Sequence, residues 1–282
     1  MLRVRPTPTI VTNHFGVIGN PITHSRSPAM HRAAIAALDI DATYEMANVD
    51  VGELDAFMAA RDLSCAGLSL TMPLKQAIRA HLVSECPVSV LTGSVNTIVR
   101  TPDGWRGFNT DTWGATTAIR QQFGSDFRRA TLLGGGATAA SLVVTLHDLG
   151  VDTLDVFVRD ATRAEKVLEL SRQLGMDAQV LAFGESARRA DLLVSTLPPG
   201  VALTPGDIET FDAEFLFDVV YDPWPSALST EWDARGLTSM NGLSMLLWQA
   251  FRQARVFYGE SVDKALPDED VVVTAMRSAV GL

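Results

Sequence analysis

The stretch ATLLGGGATA, residues 130–139, decides the fold of this chain. Residues 130–133 form a buried-type run typical of a strand, and three glycines then break it before a stretch of helical spacing. The stretch fits the pattern G-x-G-x-x-A, in which glycine permits a tight turn and lets a pyrophosphate approach the amides of the helix N-terminus. Glycine-rich turns also serve as plain connectors. The strand and helix pattern around this one favours a dinucleotide-binding site.

The residues after this turn continue the alternation of strand and helix. A helix predicted over 139–149 is closed by Gly150, and another over about 162–174 is closed by Gly175. Strands that alternate with helices of this length predict an α/β fold with a doubly wound parallel sheet. The further strands of this sheet are predicted at 154–158, 192–195 and 215–220.

The first half of the chain also mixes strands and helices. Ser27 followed by Pro28 is an N-cap and N1 pair, which predicts that a helix starts there. The last strong helix is predicted to start near Asn241, because the apolar residues after it fall on one helical stripe. Strands are predicted at 15–19, 44–49, 66–73 and 95–100, and the Pro/Thr-rich residues 1–13 predict a loose extension.

Length and composition limit the class of protein. The 282 residues are 47% hydrophobic and 20% charged, which suits one large domain or, better, two domains with substantial cores. The net charge of −10 comes without a basic run, so we expect no nucleic acid and no anionic membrane as partner. Any anionic ligand must be held locally, by backbone amides or by a few arginines.

Several other features predict a soluble cytoplasmic α/β protein without a metal. No apolar run reaches the roughly 20 residues that a membrane span needs, and the N-terminus lacks the apolar region of a signal peptide. Cys65 and Cys86 cannot form a disulfide framework, which suits a reducing compartment. Four histidines are scattered without metal-ligand spacing, and we take them as ordinary polar residues: His14, His31, His81 and His147.

The end of the second strand after the glycine turn is where the ribose of a dinucleotide is recognised. It reads VRDATR, residues 158–163. Arg159 and Arg163 suit a 2′-phosphate and favour NADP, whereas Asp160 would suit the free 2′-hydroxyl of NAD. These charges could also form a solvated helix start. We expect NADP, with NAD left open.

Five ordered motifs carry a resemblance to the shikimate dehydrogenase family. The segment GNPITHSRSP, residues 19–28, resembles the family signature G-x-P-I-x-H-S-x-S-P. The segment SLTMPLK, residues 69–75, is similar to N-V-T-x-P-x-K, and residues 93–97 and 107–111 are similar to G-A-V-N-T and G-x-N-T-D. Residues 241–249 correspond to the closing D-G-x-x-M-L-x-x-Q. The match extends from residue 15 to about 260.

The resemblance implies a fold, an activity and a place in metabolism. An α/β substrate-binding domain would comprise residues 1–111 plus 241–282, and a Rossmann-type NADP domain would comprise residues 112–240. The implied reaction is the reversible reduction of 3-dehydroshikimate to shikimate with NADPH, in the biosynthesis of aromatic amino acids. The oligomeric state stays open between a monomer and a homodimer.

The resemblance also implies roles for individual residues. Lys75 and Asp111 would be the catalytic pair. The substrate would be contacted by Ser25, Ser27, Thr71, Lys75, Asn96, Asp111, Tyr221 and Gln249. The cofactor would be contacted by Gly134, Gly135, Gly136, Ala137, Thr138, Arg159, Arg163, Val219 and Gly242.

The chemistry of these side chains agrees with the implied reaction. Hydride delivery to a ketone builds an alkoxide, which needs a positioned proton donor, and a lysine held by a carboxylate can be that donor. Hydroxyl and amide side chains can hold a polyol and its carboxylate without a large charge. Gln249 lies off the apolar stripe of the last helix and is free to face a cleft. For His24 we expect a structural hydrogen bond.

The chain departs from the family pattern at four places. Ser69 stands where Asn is usual, and Asn241 stands where Asp is usual, but both keep hydrogen-bonding capacity. Ala137 stands where a further glycine is common. NADP-specific members commonly carry N-R-T-x-x-R at the ribose end, where this chain places Asp160. That carboxylate would repel a 2′-phosphate if it pointed inward.

Two other functions compete with this interpretation. A quinate/shikimate dehydrogenase working oxidatively with NAD is the nearest, but quinate-preferring relatives tend to have threonine at the position of Ser27. A non-catalytic dinucleotide-binding regulator on the same scaffold could lose Lys75 or Asp111 freely, and both are present.

Overall fold

The computed structural model describes residues 13–201, 203–259 and 261–282, in which the strands form two six-stranded sheets. The extension predicted for residues 1–13 therefore lies outside the described residues, except for Asn13, which begins the first strand. The two-sheet α/β architecture agrees with the fold class predicted from the sequence.

The first sheet is mixed. Its strands are β1 (Asn13–Gly19), β2 (Ala42–Asn48), β3 (Cys65–Leu70), β4 (Leu82–Glu85), β5 (Thr97–Thr101) and β6 (Gly104–Phe108), in the order β2-β1-β3-β5-β6-β4. Strand β1 runs parallel to both β2 and β3, whereas β5 is antiparallel to β3 and β6. The helices of this half are α1 (Ser27–Ala37), α2 (Leu54–Ala59), α3 (Leu74–Ala77) and α4 (Pro87–Thr92).

Helix α1 begins one residue earlier than its sequence predicts. Ser27 is already helical and Arg26 occupies the N-cap position, so the prediction of Ser27 as the N-cap is wrong. The Oγ of Ser25 accepts a hydrogen bond from the backbone amide of Ser27 at 3.3 Å. Pro28 is therefore the second helical residue and not the first, and its missing N–H costs nothing in this turn.

The second sheet is entirely parallel, as the sequence predicts. Its order β12-β11-β10-β7-β8-β9 places the strand before the glycine turn in the middle. The strands are β7 (Arg129–Leu133), β8 (Thr153–Phe157), β9 (Asp177–Leu181), β10 (Ala190–Ser195), β11 (Ala213–Asp218) and β12 (Thr238–Met240). The helices are α5 (Asp111–Phe123), α6 (Ala137–Asp148), α7 (Glu165–Gln173), α8 (Pro205–Glu209) and α9 (Ala227–Ala234).

The last two helices return to the first half of the chain. Helix α10 (Leu243–Gly259) and helix α11 (Glu269–Ser278) form a buried apolar cluster with α1, in which Met30 packs with Leu247, Val272 and Met276. Residues near the two ends of the chain therefore share one core.

Helix α5 connects the two halves. Its side chains Ala115, Ala118 and Ile119 belong to the core of the second sheet. Two hydrogen bonds join α6 to the start of α5: Asn109 Nδ2 donates to Ser141 Oγ at 2.9 Å, and Thr145 Oγ1 donates to the Thr112 carbonyl at 3.1 Å. The turn before α6 is thereby fixed relative to the first residues of α5.

His31 is a core residue of the first half, although its sequence context suggests an ordinary polar position. Its ring is fully buried on α1 and stacks on Tyr44 of β2, with ring centroids 4.2 Å apart and planes 4° from parallel. Burial lowers the pKa of His31 to about 4, and a hydrogen bond with Gln253 offsets part of this shift. The imidazole is therefore neutral in the folded protein at neutral pH.

The buried His31 predicts a pH-dependent stability. In the unfolded chain the imidazole of His31 takes up a proton near its ordinary pKa of 6.5. His31 therefore leaves the free energy of unfolding unchanged above that pH and lowers it as the pH decreases from 6.5 towards 4. Between pH 7 and pH 5 we expect this histidine to cost about 2 kcal/mol of unfolding free energy. Urea unfolding at both pH values, with His31→Asn as the comparison, measures the difference. An equal pH dependence in both proteins would contradict the assignment.

Candidate active site

A cavity of about 290 Å³ lies between the two halves, near the carboxyl ends of their central strands. Parallel sheets place their ligand sites at this end. The cavity contains side chains or backbone of residues from both halves. Those named from the sequence are Ser25, Ser27, Thr71, Lys75, Asp111, Thr138, Val219, Tyr221, Gly242 and Gln249.

A lysine–carboxylate pair forms the polar centre of this cavity. Lys75 Nζ lies on α3, just after β3, and donates to Asp111 Oδ2 at 2.6 Å. The side chain of Asp111, the first residue of α5, is 5% exposed and that of Lys75 is 14% exposed. The carboxylate thus holds the ammonium at the cavity wall, where it can give a proton to a bound ligand.

Asn96 stands behind this pair and is 1% exposed. Its Oδ1 accepts from the backbone amide of Thr110 at 2.9 Å, and a backbone amide can only donate, so its nitrogen must face the other way. Its Nδ2 accordingly donates to Asp111 Oδ1 at 2.8 Å and to Gln249 Oε1 at 3.1 Å. Asn96 does not line the cavity, and its direct contact with a substrate stays a prediction.

Gln249 lies on α10 and lines the cavity, as its place off the apolar stripe predicts. Its Nε2 donates to the Leu246 carbonyl at 3.1 Å, which leaves one further N–H for a ligand. Gly114 on α5 permits this placement, because a Cβ there would lie 2.7 Å from the Gln249 backbone nitrogen and 2.8 Å from the Met245 carbonyl oxygen. The close contact of α5 and α10 therefore fixes the distance between Gln249 and Asp111.

Replacing Gly114 by alanine tests this contact. The added methyl group must push α10 away from α5, and overpacking of this kind costs about 1–3 kcal/mol of stability. Because Gln249 moves with α10, we expect KM for the substrate to rise more than kcat falls. Thermal unfolding and steady-state kinetics of Gly114→Ala measure both effects. Gly52→Ala, at an open surface position, is the control, and unchanged kinetics in Gly114→Ala would contradict the positioning role.

Residues of two adjacent loops form another part of the cavity wall. Ser25 and Ser27 follow β1, and Thr71 follows β3, so the parallel pairing of these strands brings their hydroxyl groups to one edge. His24 also lines the cavity and is exposed. Within the described part of the chain its side chain has no hydrogen-bonding partner, and the structural hydrogen bond expected for it stays a prediction.

Tyr221 follows β11 and borders the cavity from the second half. Burial raises the pKa of its hydroxyl, and the nearby Arg26 guanidinium partly offsets that shift. The phenol is therefore neutral at physiological pH and can donate a hydrogen bond to an anionic ligand.

The glycine turn has the geometry that a dinucleotide requires. Gly134 adopts a φ of +105°, which side chains rarely tolerate, and the chain then enters α6 with Gly136 at its N-cap. No side chain of the described residues caps α6, so its first amides point free towards the cavity edge. Val219 and Gly242 lie together nearby, where the Gly242 amide donates to the Val220 carbonyl at 3.2 Å. These features fit a pyrophosphate.

The orientation of Asp160 decides the character of the ribose end of the site. Its carboxylate accepts hydrogen bonds from the Thr162 amide at 3.0 Å and from the Thr162 hydroxyl at 2.8 Å. These bonds hold the pKa of Asp160 below its usual range. The carboxylate thus caps the following helical turn and is engaged there, while Arg159 and Arg163 remain exposed at the end of β8. This arrangement favours a 2′-phosphate.

Besides His24, two polar residues line the cavity that the sequence does not identify as site residues. Ser69 is a departure from the family pattern and Gln253 lies outside the five motifs, yet both line the cavity. Searches of the described residues find no group of three or more acidic, histidine or cysteine side chains that could hold a metal. In the same residues no helix is both long and apolar enough to span a bilayer.

Comparisons with known proteins agree with this geometry. Residues 17–98 match the model of the shikimate dehydrogenase substrate binding domain. Shikimate dehydrogenase (NADP(+)) of Thermus thermophilus is 32% identical over 272 residues, which cover 95% of this chain and 99% of that protein.

Solved structures are similar over the whole fold. The structure of Mycobacterium tuberculosis shikimate dehydrogenase gives a TM-score of 0.82 at 35% identity and covers 94% of this chain and 99% of that one. Shikimate 5-dehydrogenase of Thermus thermophilus, in complex with NADP(H) and shikimate, gives 0.77 at 31% identity and covers 95% and 99%.

A parallel sheet whose central strand ends in a glycine turn, next to a second α/β unit, is typical of the dinucleotide-dependent dehydrogenases as a class. Within that class, similarity over nearly the full length to relatives of one kind decides the family. The chain belongs to the shikimate dehydrogenase family. This confirms the resemblance carried by its sequence motifs.

Proposed function

We propose that this chain is an NADP-dependent oxidoreductase that reversibly reduces 3-dehydroshikimate to shikimate, a step in the biosynthesis of aromatic amino acids. The observation that carries the proposal is the Lys75–Asp111 pair, in which Lys75 Nζ lies 2.6 Å from Asp111 Oδ2. The cavity that contains this pair is also lined by Thr138 of α6, the helix that follows the glycine turn. The relatives named above are shikimate dehydrogenases by name, and their similarity extends over 94–95% of the chain.

The proposed chemistry assigns the proton to Lys75. When bound, the nicotinamide cofactor supplies the hydride for reduction and accepts it in oxidation. The Lys75 ammonium gives its proton to the oxygen of the developing alkoxide and takes it back in the reverse direction. Asp111 orients the ammonium through Oδ2 and is itself held through Oδ1 by Asn96.

The remaining residues hold the two reactants. We assign the substrate hydroxyls and carboxylate to Ser25, Ser27, Thr71, Asn96, Asp111, Tyr221 and Gln249. We assign the cofactor to Gly134, Gly135, Gly136, Ala137, Thr138, Arg159, Arg163, Val219 and Gly242. Residues 1–111 with 241–282 form the proposed substrate domain, and residues 112–240 form the proposed nucleotide domain. We place the enzyme, as a monomer or homodimer, in the cytoplasm, where its two free thiols stay reduced.

A panel of substrates and cofactors tests the proposed function. We expect the purified protein to oxidise shikimate far faster than quinate. We also expect it to prefer NADP over NAD by at least about tenfold in kcat/KM, or roughly 1.4 kcal/mol of transition-state binding. The physical reasons are the two exposed arginines at the ribose end and the capping role of Asp160. Nicotinamide absorbance with all four combinations gives the answer.

The outcomes of this panel separate the alternatives. Comparable rates with shikimate and quinate would move the enzyme to the quinate/shikimate class. Equal or better use of NAD would refute the assignment of Arg159 and Arg163. Dinucleotide binding without any turnover would favour a regulator.

Replacing Lys75 by alanine tests the proton-transfer role. Loss of one general acid–base group lowers kcat by about 10²–10⁴. KM for shikimate should change much less, because the hydroxyl and amide side chains of the cavity still hold the ring. Steady-state kinetics with saturating NADP measure both constants.

Asp111→Asn is the companion variant. It should lose both rate and affinity, because Asp111 is assigned to the substrate as well as to Lys75. A Lys75→Ala enzyme with near-normal kcat and raised KM would instead make Lys75 a binding residue. The proton donor would then have to be sought at Asp111.

A further inference from the structure

A buried network of hydrogen bonds lies behind the cavity wall formed by β3. At its centre is Gln253 on α10, one helical turn beyond Gln249 and 1% exposed. Its Nε2 lies 3.1 Å from the Asn96 carbonyl oxygen and 3.0 Å from Thr97 Oγ1. A backbone carbonyl can only accept, so the amide nitrogen must point there and Oε1 must point the opposite way.

The orientation of Gln253 fixes the hydroxyl proton of Ser69. Gln253 Oε1 lies 2.9 Å from Ser69 Oγ, and an amide oxygen only accepts, so Ser69 must donate its proton to it. The Tyr44 hydroxyl lies 2.7 Å from the same Ser69 oxygen and therefore donates to it. Ser69 is 3% exposed, so no bulk water competes with these bonds.

The hydrogen bonds of His31 in this network also have fixed donors and acceptors. His31 Nε2 lies 3.2 Å from Gln253 Oε1 and must donate to it. The imidazole is neutral, so its Nδ1 carries a lone pair and accepts from the Tyr258 hydroxyl at 3.1 Å. Each of these hydrogen bonds thus has one possible donor, and the assignment follows from the Asn96 carbonyl, which can only accept from Gln253.

A serine hydroxyl has one proton and two lone pairs. The proton of Ser69 is used by Gln253 and one lone pair is used by Tyr44. Ser69, near the end of β3, also lines the cavity, two residues before Thr71, which follows that strand. What remains for a ligand at this position is a single acceptor.

We propose that Ser69 is a specificity-determining residue that presents only a hydrogen-bond acceptor to the cavity, and that Gln253 is the positioning residue that enforces this. The inference rests on the proposed function and extends it. A ring hydroxyl of the substrate donates to Ser69, whereas a carboxylate oxygen at the same place meets an opposing lone pair. The substrate therefore binds with a hydroxyl-bearing edge against β3 and with its carboxylate directed away from Ser69.

The test combines Ser69→Ala with substrate analogues that each lack one polar group. The probes are shikimate, its methyl ester, and two analogues that each lack one of the non-reacting ring hydroxyls. We expect Ser69→Ala to lower kcat/KM for shikimate about tenfold through loss of one buried hydrogen bond. That penalty should persist with the ester and disappear with one of the two deoxy analogues. Ser125→Ala, at an exposed position, is the control and should show no penalty.

Other results overturn the proposal. A Ser69→Ala penalty that disappears with the ester and persists with both deoxy analogues would place the carboxylate at Ser69. No penalty with shikimate would remove Ser69 from substrate recognition altogether. If the ester is not turned over, the two deoxy analogues decide, because a penalty kept by both refutes the hydroxyl contact.

The Tyr44→Phe variant tests the assignment of the Ser69 hydroxyl as donor to Gln253, with almost no change in the shape of the side chain at position 44. It leaves the Ser69 proton on Gln253, so we expect kcat/KM for shikimate within about threefold of the wild type and the same pattern across the analogues. Loss of that pattern in Tyr44→Phe would contradict the proposal that Gln253 alone fixes the orientation of the Ser69 hydroxyl proton. A wild-type protein that does not oxidise shikimate refutes the proposed function itself, whereas an active enzyme with the opposite pattern refutes only the role of Ser69.

Discussion

The buried carboxylate of Asp111 is the constraint on which the cavity depends. An unpaired charge at such a position costs several kcal/mol, so the fold must supply partners for both of its oxygens. Lys75 satisfies one oxygen and Asn96 the other. Asn96 is in turn oriented by the Thr110 amide and bonded to Gln249. One charge thereby ties together α3, α5, α10 and the start of β5.

Local signals were enough to predict the second half of the molecule. The glycine turn at 134–136 and the alternation of strand and helix require no knowledge of distant contacts, and the parallel sheet follows from them. The short and polar elements were not predicted. Strand β9 (Asp177–Leu181) and strand β12 (Thr238–Met240) lie at sheet edges, where each pairs with a single neighbouring strand. Helix α11 follows a stretch with no clear helical start.

The candidate site likewise has a part that the sequence predicts and a part that it does not. Most residues named from motifs do reach the cavity, because loops after parallel strands converge at one edge. The network behind β3 had no comparable signal. Ser69 and Gln253 are 184 residues apart, and His31 and Gln253 are 222 residues apart, so their pairing arises only when α10 packs back onto the first sheet. A second glutamine one turn after Gln249, on the same helix, was the available hint.

The position of α5 has a consequence for motion. The helix begins at Asp111 in the cavity and continues into the core of the second sheet, and Asn109 and Thr112 join its first turn to α6. Gly114 of the same helix packs against α10, so a rotation of one half against the other that keeps both sets of contacts turns about an axis close to α5. Such a rotation alters the separation between the glycine turn and the loop after β1, which belong to different halves. The distance from Lys75 to Asp111 hardly changes, so the proton-transfer pair stays assembled whether the cleft is wide or narrow.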